Sequence, residues 1–517
     1  MTARVLALAL TALASEAGAQ YPFVPPPTPC VPITGLRLTG KLIPIARSSA
    51  PPRTLGIAPF GYAGSPADLD PLIGGLGDRL VARLRAVRPL AVARWRGTDE
   101  SILLDSAAVS RLLEQIGARR LLMGQVRGDG PDVAVSVQLY DGATGGVIWQ
   151  ESLRRPLTDV LDLELALARH VAAHSFGTLT DAERAAVEST PTRDPLAFGL
   201  YVRGGAKLAG GGDAGSGIAD LGAAVQRDST SAPIWSELSA AYTRRATLLS
   251  ATPARDSLLR LATAAANRGV ALAPRSAVGW LARGAALGAR DPRRLTPALS
   301  AFEQAVAVER RNAEAHRQLA HGLMLLGRSE AAALHLNRAL EIEPEQAAPL
   351  LELATMELHE RAYRESCRTL DLALSVDPRF ASAYVLRAMI RLRLGDLRYA
   401  WVDAETGRRL GAEIAGSAVS ALADLTARDT AGARSRLALL LRLVESGPIA
   451  SVSDGSYVAL VAVAIGNNRR ALDVLEHLRP RGADLRFALL APGFDGLRSA
   501  PRFRRLVEAS SSSGGER

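Results

Sequence analysis

One stretch of the chain, residues 315–378, carries the same residue pattern twice at a spacing of 34 positions. Ala339 and Ala373 are 34 positions apart, and so are Pro344 and Pro378. A fixed period of this length is typical of a solenoid, in which each unit packs only on its neighbours. The period therefore favours stacked repeats over a closed globule for this part of the chain.

Each copy of the pattern predicts two amphipathic helices joined by a turn. Apolar residues recur every three or four positions in both halves, as expected for helices with one buried face. Gly327 separates the halves of the first copy, and Pro344 and Pro378 follow the second helix of each copy, where proline stops a helix. Helices of about 12–15 residues are marginal alone in water, so we expect stacking to stabilise them.

The two copies resemble the tetratricopeptide repeat. The matching positions are His316, Leu319, Ala320, Leu323, Leu326, Gly327, Ala332, Leu336, Ala339 and Pro344 in the first copy, and Leu350, Leu353, Ala354, Glu357, Arg361, Ser366, Leu370, Ala373 and Pro378 in the second. The resemblance implies an all-α solenoid over residues 194–509 that binds a protein or peptide partner. Gly204 to Gly217 would be the turn of an irregular first pair. Phe494 to Leu506 resembles the capping helix of such arrays, and residues 510–517 are expected to be a disordered tail.

Residues 54–193 show a different period, which predicts a small α/β module with the order β-α-β-α-β-β-β-α. Val133, Val135 and Val137 alternate with smaller or polar residues, as in a sheet with one buried face. The two turn sequences, Asp-Gly at residues 129–130 and Asp-Gly-Ala-Thr-Gly at residues 141–145, predict hairpins between the last three strands. The expected fold class is therefore α+β, with a small α/β module followed by an all-α tetratricopeptide-type helical solenoid.

This module resembles the one related to the amino-terminal domain of TolB. The matching segments are Ile57–Phe60, Ala118–Arg127, Val137–Gly145, Val147–Glu151, Leu179–Arg184 and Pro195–Gly204. In bacteria such a module often precedes tetratricopeptide repeats in adenylate cyclases, protein kinases and winged-helix regulators, whose catalytic or DNA-binding domain lies upstream. Fewer than 60 residues precede the module here. The cyclase, kinase or regulator activity is therefore not expected.

The first residues have the composition of a secretory signal peptide. Arg4 is followed by an apolar run from Val5 to Ala14 and then by an A-x-A cleavage pattern that ends at Ala19. We interpret residues 1–19 as a signal peptide and the proline-rich residues 20–53 as a linker; an uncleaved anchor is the alternative. The implied location is periplasmic or secreted, with no integral membrane segment after cleavage.

Charge and cysteine usage do not identify a partner. The chain has 62 basic and 52 acidic residues, a net charge of +10, but the basic residues are scattered among acids. A scattered excess favours a solvated surface over nucleic-acid binding. A cytoplasmic signalling or transcription-regulatory protein that uses this basic surface on nucleic acid is the alternative. Cys30 and Cys367 lie far apart in the sequence, which predicts neither a disulfide framework nor a zinc site.

The resemblance to tetratricopeptide repeats implies a peptide-binding groove on the inner helices. Its candidate residues are Arg317, His321, Met324, Thr355, His359, Met389 and Arg393. A groove that mixes methionine with arginine and histidine suits an extended or helical peptide. For any one of these residues, ordinary surface is the alternative interpretation.

The sequence offers no catalytic constellation. His170 and His174 are four positions apart on one predicted helix, but no third metal ligand is evident, so no metal and no cofactor are expected. Neither Gly74–Gly77 nor Gly204–Gly217 has the phosphate-loop pattern. The leading hypothesis is an exported, non-enzymatic protein-interaction scaffold of unknown oligomeric state; an enzyme with an unrecognised site in the module ranks lowest.

Overall fold

The computed structural model of the chain describes an α/β unit followed by a long all-α array, so the predicted fold class is confirmed. It describes residues 55–511, apart from residues 59, 64–74, 88–90, 93–108, 111–112, 114–117, 130, 210–213, 250–251, 293, 345, 447–451 and 479–482. The predicted signal peptide, the linker and residues 512–517 of the predicted tail lie outside the described residues.

The sheet of the α/β unit combines parallel and antiparallel strands. Its described strands are β1 (Gly56–Ile57), β2 (Gly61–Ala63), β3 (Ala91–Val92), β4 (Arg120–Asp129), β5 (Asp132–Asp141) and β6 (Val147–Pro156). The strand order is β3-β1-β4-β5-β6, and β2 also pairs with β4. Strand β1 is parallel to β3 and β4, whereas β4, β5 and β6 form an antiparallel meander. The predicted hairpins between the last three strands are therefore confirmed.

One face of the meander forms the core of this unit. Val133, Val135 and Val137 are at most 1% exposed, which confirms the predicted alternation. They pack with helix α1 (Leu76–Val87) and helix α2 (Val160–Phe176), which a short 3-10 turn at Leu157–Asp159 precedes. The sheet thus carries its helices on its apolar face.

A buried carboxylate joins the helices of the α/β unit. Glu164 on α2 is fully buried and accepts hydrogen bonds from Arg79 Nε at 2.6 Å and Arg83 Nε at 2.8 Å. Arg83 also donates to the carbonyl oxygen of Val187 on helix α3 (Asp181–Glu188). Because burial of an unpaired charge is costly, this pairing fixes α1, α2 and α3 relative to one another.

The array that follows consists of paired helices. The described pairs are α4 (Pro195–Ala209) with α5 (Ala214–Arg227), α6 (Ala232–Thr247) with α7 (Pro253–Leu272), α8 (Ala277–Arg290) with α9 (Thr296–Val308), α10 (Ala313–Leu325) with α11 (Ser329–Ile342), α12 (Ala347–His359) with α13 (Tyr363–Val376), α14 (Ala381–Leu394) with α15 (Leu397–Arg409), α16 (Glu413–Thr426) with α17 (Thr430–Ser446), and α18 (Val452–Ala464) with α19 (Asn468–His477). Helices α10, α12 and α14 begin 34 residues apart, which confirms the predicted period.

The turns inside these pairs require a left-handed backbone at one recurring position. Gly327 has a φ of +74° and Gly395 a φ of +82°, and glycine adopts such values without steric cost. Arg361 occupies the equivalent position midway between them and has a φ of +63°. An arginine therefore stands where the neighbouring repeats have glycine.

The predicted turn from Gly204 to Gly217 is too wide, because α4 ends at Ala209 and α5 begins at Ala214. Both glycines lie inside helices, Gly204 in α4 and Gly217 in α5. A Cβ on Gly204 would lie 2.9 Å from the carbonyl oxygen of Gly217, so the missing side chains permit a close crossing of the two helices.

The state of Cys367 also differs from the expectation. Its side chain is fully buried between helices of the solenoid, and it is disulfide-bonded rather than a free thiol. The other cysteine of the sequence, Cys30, lies outside the described residues.

The described C-terminal end closes the array. It contains α20 (Ala483–Leu489), a 3-10 helix (Pro492–Leu497) and α21 (Pro501–Ser511). Leu489, Phe494 and Phe503 are at most 2% exposed and pack on the last helix pair, which agrees with the predicted capping segment. Ser510 donates a 2.9 Å hydrogen bond to the carbonyl oxygen of Leu506, so α21 continues past the predicted boundary at residue 509.

Candidate functional site

The first helices of successive pairs form one continuous layer of the solenoid. Helices α10, α12, α14 and α16 contact one another in succession, whereas the second helices contact their own partners and the next first helix. We call the inner surface of α10, α12 and α14 the groove. All seven residues predicted from the sequence lie on these three helices.

Arg317 connects the first two helices of the groove. Its guanidinium donates to Glu314 Oε1 at 2.6 Å within α10 and to Glu352 Oε1 at 2.7 Å on α12. Burial lowers the pKa of Arg317, but the two carboxylates raise it by more, so the side chain stays charged. Arg317 therefore belongs to an intramolecular ion pair between successive repeats.

Glu352 is the partner that the sequence analysis missed. Burial raises the pKa of its carboxyl group, while His321 and Arg317 lower it. Its second oxygen, Oε2, is buried without a hydrogen-bond partner among the described residues. The structure thus brings His321 and Arg317 together around a carboxylate that no motif had indicated.

A cavity of about 390 Å³ lies at the edge of the groove, where α10, α12 and α14 begin. Its lining includes Glu314, Arg317, Gln346, Asp377 and Phe380. The walls therefore combine charges of both signs with one aromatic ring, and they come from three successive repeats. Such a surface can contact an extended peptide that crosses the repeats.

Thr355 and the two methionines do not offer free groups to a ligand. The Thr355 hydroxyl donates to the carbonyl oxygen of Leu351, at 2.7 Å, within its own helix. Met324 and Met389 are only 3% and 6% exposed, since both pack in apolar clusters with neighbouring helices. The expectation that methionines line an open groove is therefore not matched by their burial.

His359 lies under the C-terminal end of the chain. Its ring centroid is 4.3 Å from that of Phe487 on α20. Its Nδ1 atom is buried without a hydrogen-bond partner in the described part of the chain, and burial lowers the pKa of the imidazole to about 4. His359 is thus neutral near pH 7 and acts as an apolar aromatic surface.

Two further contacts join the same C-terminal residues to the groove. Arg361, just after α12, pairs with Asp495 in the 3-10 helix. Arg393 on α14 is exposed and lies beside Gly493, where an added Cβ would be 3.1 Å from its Nη2 atom. No sequence signal indicates these contacts, because each joins residues about a hundred or more positions apart.

A second charged cluster lies between α13, α14 and α15, and all of its members except Asp371 are buried. Arg387 donates to both carboxylate oxygens of Asp403 and to Asp371 Oδ1, at 2.7 to 2.8 Å. Arg391 lies 3.0 Å from Asp403 and is also buried. Two arginines and two aspartates balance in charge, so the cluster connects adjacent repeats rather than forming an open site.

The histidines considered as a metal pair have other partners. His170 Nδ1 lies 2.8 Å from Glu151 Oε1, and the His174 ring stacks on Trp149 with a centroid distance of 4.3 Å. Among the described residues, no three or more His, Cys, Asp or Glu side chains are grouped to hold a metal ion. In the same part of the chain, no helix is long and apolar enough to cross a bilayer.

Comparison with known proteins gives limited matches. No family model matches the chain. A putative adenylate cyclase 3 of Rhizobium meliloti (strain 1021) is 25% identical over 150 residues, which are 29% of this chain and 25% of that protein. The chain thus spans about a quarter of the length of the curated relative it matches.

Several solved structures with similar arrangements are tetratricopeptide or related assemblies. The Cut9–Hcn1 hetero-tetramer of APC/C is 14% identical with a TM-score of 0.41, covering 68% of this chain and 63% of that one. YrrB, described as a TPR protein with an unusual peptide-binding site, is 14% identical with a TM-score of 0.27, covering 38% and 95%. A tetratricopeptide repeat protein from Parabacteroides merdae is 13% identical with a TM-score of 0.34, covering 61% and 99%.

At these scores the likenesses add nothing to the paired-helix architecture that the structure itself displays. The chain is a helical-repeat protein with a small α/β unit, and its inner groove, partly covered by its own C-terminal residues, is the candidate functional site.

Proposed function

We propose that this protein is an exported, non-enzymatic interaction scaffold whose groove binds an extended or helical peptide segment of a protein partner. One observation carries the proposal: the groove already holds a short helix, α20, with the Phe487 ring against His359. A surface that accommodates one helix of this kind offers the apolar and charged groups that helix-in-groove recognition uses. The α/β unit, which resembles the TolB amino-terminal module, would dock a second partner or pack as a cap.

The charge distribution favours a protein partner over nucleic acid. Many arginines in the described part of the chain are paired with carboxylates, as Arg317, Arg387 and Arg502 are. Nucleic-acid binding depends on basic side chains that are available to phosphates. The alternative, a cytoplasmic regulator that acts on nucleic acid through its basic surface, therefore has less support.

The disulfide-bonded state of Cys367 supports the proposed location. Disulfides persist in the periplasm and outside the cell, whereas cytosolic thiols are kept reduced. Mass spectrometry of the mature protein tests export directly, and Gln20 is the expected first residue. A mature protein that retains Arg4 and the apolar run after it would contradict cleavage.

Peptide binding is tested by selecting ligands for the full-length protein from a displayed peptide library. A selected peptide should lose at least about 1.4 kcal/mol of binding free energy, or tenfold in affinity, when Arg393→Glu is introduced on the first helix α14. The matched control is Arg338→Glu on the second helix α11, where the side chain is 46% exposed. Equal losses in both variants, or selection of no peptide at all, would count against the groove as the binding site.

A further inference from the structure

The C-terminal residues contact the groove at the three points described above, which sequence patterns do not explain, and two of these contacts involve a ring or a charged group of the C-terminal residues. Phe487 packs on His359 at the end of α12, and Asp495 pairs with Arg361 two positions later. Phe487 and Asp495 are eight positions apart, so one short segment presents a ring and a carboxylate to neighbouring groove residues. We call residues 483–497 the C-terminal segment.

The C-terminal segment is anchored independently of the groove. Leu485, Leu489 and Leu497 are at most 1% exposed and pack with α18, α19 and α21 at the end of the array. Phe487 and Asp495 instead contact His359 and Arg361, which belong to an earlier repeat. The groove contacts can therefore open while the core that holds the segment stays intact.

The groove contacts of the C-terminal segment are partly open to solvent. Arg361 and Asp495 are 60% and 37% exposed, and an ion pair between exposed side chains adds little to stability. Phe487 is half-buried and packs beside an apolar cluster that includes Leu319 and Leu323 of α10. A competing ligand could replace both contacts by offering the same two groups, a ring and a carboxylate.

The backbone conformation of Arg361 indicates that its side chain has a role in the contact with Asp495. Its φ of +63° is strained for arginine, and the equivalent positions 34 residues before and after hold Gly327 and Gly395. Glycine would adopt the turn without that strain. An arginine at this strained position thus indicates that its guanidinium group, which pairs with Asp495, has a function.

We propose that the C-terminal segment occupies the partner's place in the groove, and that the partner is a peptide that presents an aromatic ring to His359 and a carboxylate to Arg361. This inference rests on the proposed function and specifies its ligand. The tethered segment competes with the partner at an effective concentration on the order of millimolar, so the free protein binds its partner more weakly than an opened groove does.

The test uses the full-length protein and a fluorescent synthetic peptide of residues 483–497, with binding followed by anisotropy. Phe487→Ala removes the tethered ring, and the peptide should bind this variant at least about tenfold more tightly than it binds the wild type. Asp495→Asn removes an exposed carboxylate that pairs with both Arg361 and Arg498, so it provides a second opened form without any change in the buried core. A peptide that lacks the phenylalanine and aspartate should bind neither variant.

A groove-side change supplies the matched control. Arg361→Gly relieves backbone strain and removes the group that pairs with the aspartate of the peptide. In the Phe487→Ala protein it should therefore cancel most of the gain in peptide affinity. Arg428→Gly relieves the same kind of strain, at a φ of +68°, in the turn between α16 and α17, and should leave the gain unchanged.

Equal peptide binding by the wild type and the opened variants would overturn the inference, as would equal effects of the two glycine substitutions. A wild-type dimer in light scattering that disappears in Phe487→Ala would also overturn it, because it would assign the groove to a second copy. If library peptides that depend on Arg393 are still selected in either case, the proposed function stands and only this inference fails.

Discussion

Arg387 donates hydrogen bonds of 2.8 and 2.7 Å to the two carboxylate oxygens of Asp403, and both side chains are at most 3% exposed. The pair joins α14 to α15, and a third hydrogen bond from Arg387 to Asp371 extends it to α13. A helical-repeat protein has no single core, so buried pairs of this kind fix one repeat on the next.

Replacing Arg387 should therefore be costly. In Arg387→Ala, Asp403 remains buried without its bidentate partner, and we expect a loss of about 3–5 kcal/mol in unfolding free energy from urea titration. The matched control is Arg408→Ala, which removes an exposed pair with Glu405 in the same helix and should cost less than about 1 kcal/mol. Similar losses in both variants would contradict a structural role for the buried cluster.

Alanine substitutions at two adjacent glycines of α4 should change the stability of the protein in opposite directions. Gly204→Ala would place its Cβ 2.9 Å from the carbonyl oxygen of Gly217, and we expect it to destabilise the protein by about 1–3 kcal/mol. Gly205 has no atom within 4 Å of an added Cβ, so Gly205→Ala should stabilise the helix by about 0.5–1 kcal/mol. Thermal unfolding of the two variants measures both; a stabilised Gly204→Ala would show that α4 and α5 do not cross closely.

The buried carboxyl group of Glu357 should make the protein less stable as the pH rises. Burial raises the pKa of its carboxyl group to about 7, although a hydrogen bond from Thr369 opposes the shift. The folded state therefore holds the proton more tightly than the unfolded chain, and stability falls from about pH 4.5 to pH 7. At pH 8, Glu357→Gln should be more stable than the wild type by up to about 3 kcal/mol, with little difference at pH 4. Chemical denaturation at the two pH values is the measurement, and an equal difference between the variant and the wild type at both values would contradict the raised pKa.

His359 predicts the opposite dependence. Burial lowers the pKa of its imidazole to about 4, so the unfolded chain binds a proton that the folded state excludes. Stability should be complete above about pH 6.5 and decline as the pH falls towards 4, by up to about 3 kcal/mol. His359→Leu should flatten this part of the stability profile, whereas His477→Leu, at an exposed position, should not. An unchanged acid limb in His359→Leu would mean that the imidazole is not excluded from water.

The oxidation state of Cys367 can be checked by peptide mapping. Because its sulfur is disulfide-bonded and its side chain is fully buried, peptide mapping without reductant should recover Cys367 in a disulfide-linked peptide. Cys30 is the other cysteine in the sequence, so an intramolecular bond would link these two. Free Cys367 in alkylated, unreduced protein purified from its native compartment would contradict the assignment.

The groove shows where prediction from sequence stops. Arg317, His321 and Thr355 lie on the first helices of their pairs, whose positions follow from the repeat period. Whether each is available to a ligand depends on what packs against it. The burial of Met389, for example, arises from α16 and α18, whose distance from α14 is not encoded in any local pattern.

The sequence by itself determined the stack of paired helices. Each helix follows from apolar residues three or four positions apart, and each turn from a glycine or proline nearby, so local interactions are enough to define every helix pair. The 34-residue period then repeats that pair along the chain. Only the tertiary structure decided that the C-terminal segment covers the groove at His359 and Arg361. That contact depends on the accumulated curvature of several repeats, and no residue pattern along the chain reports it.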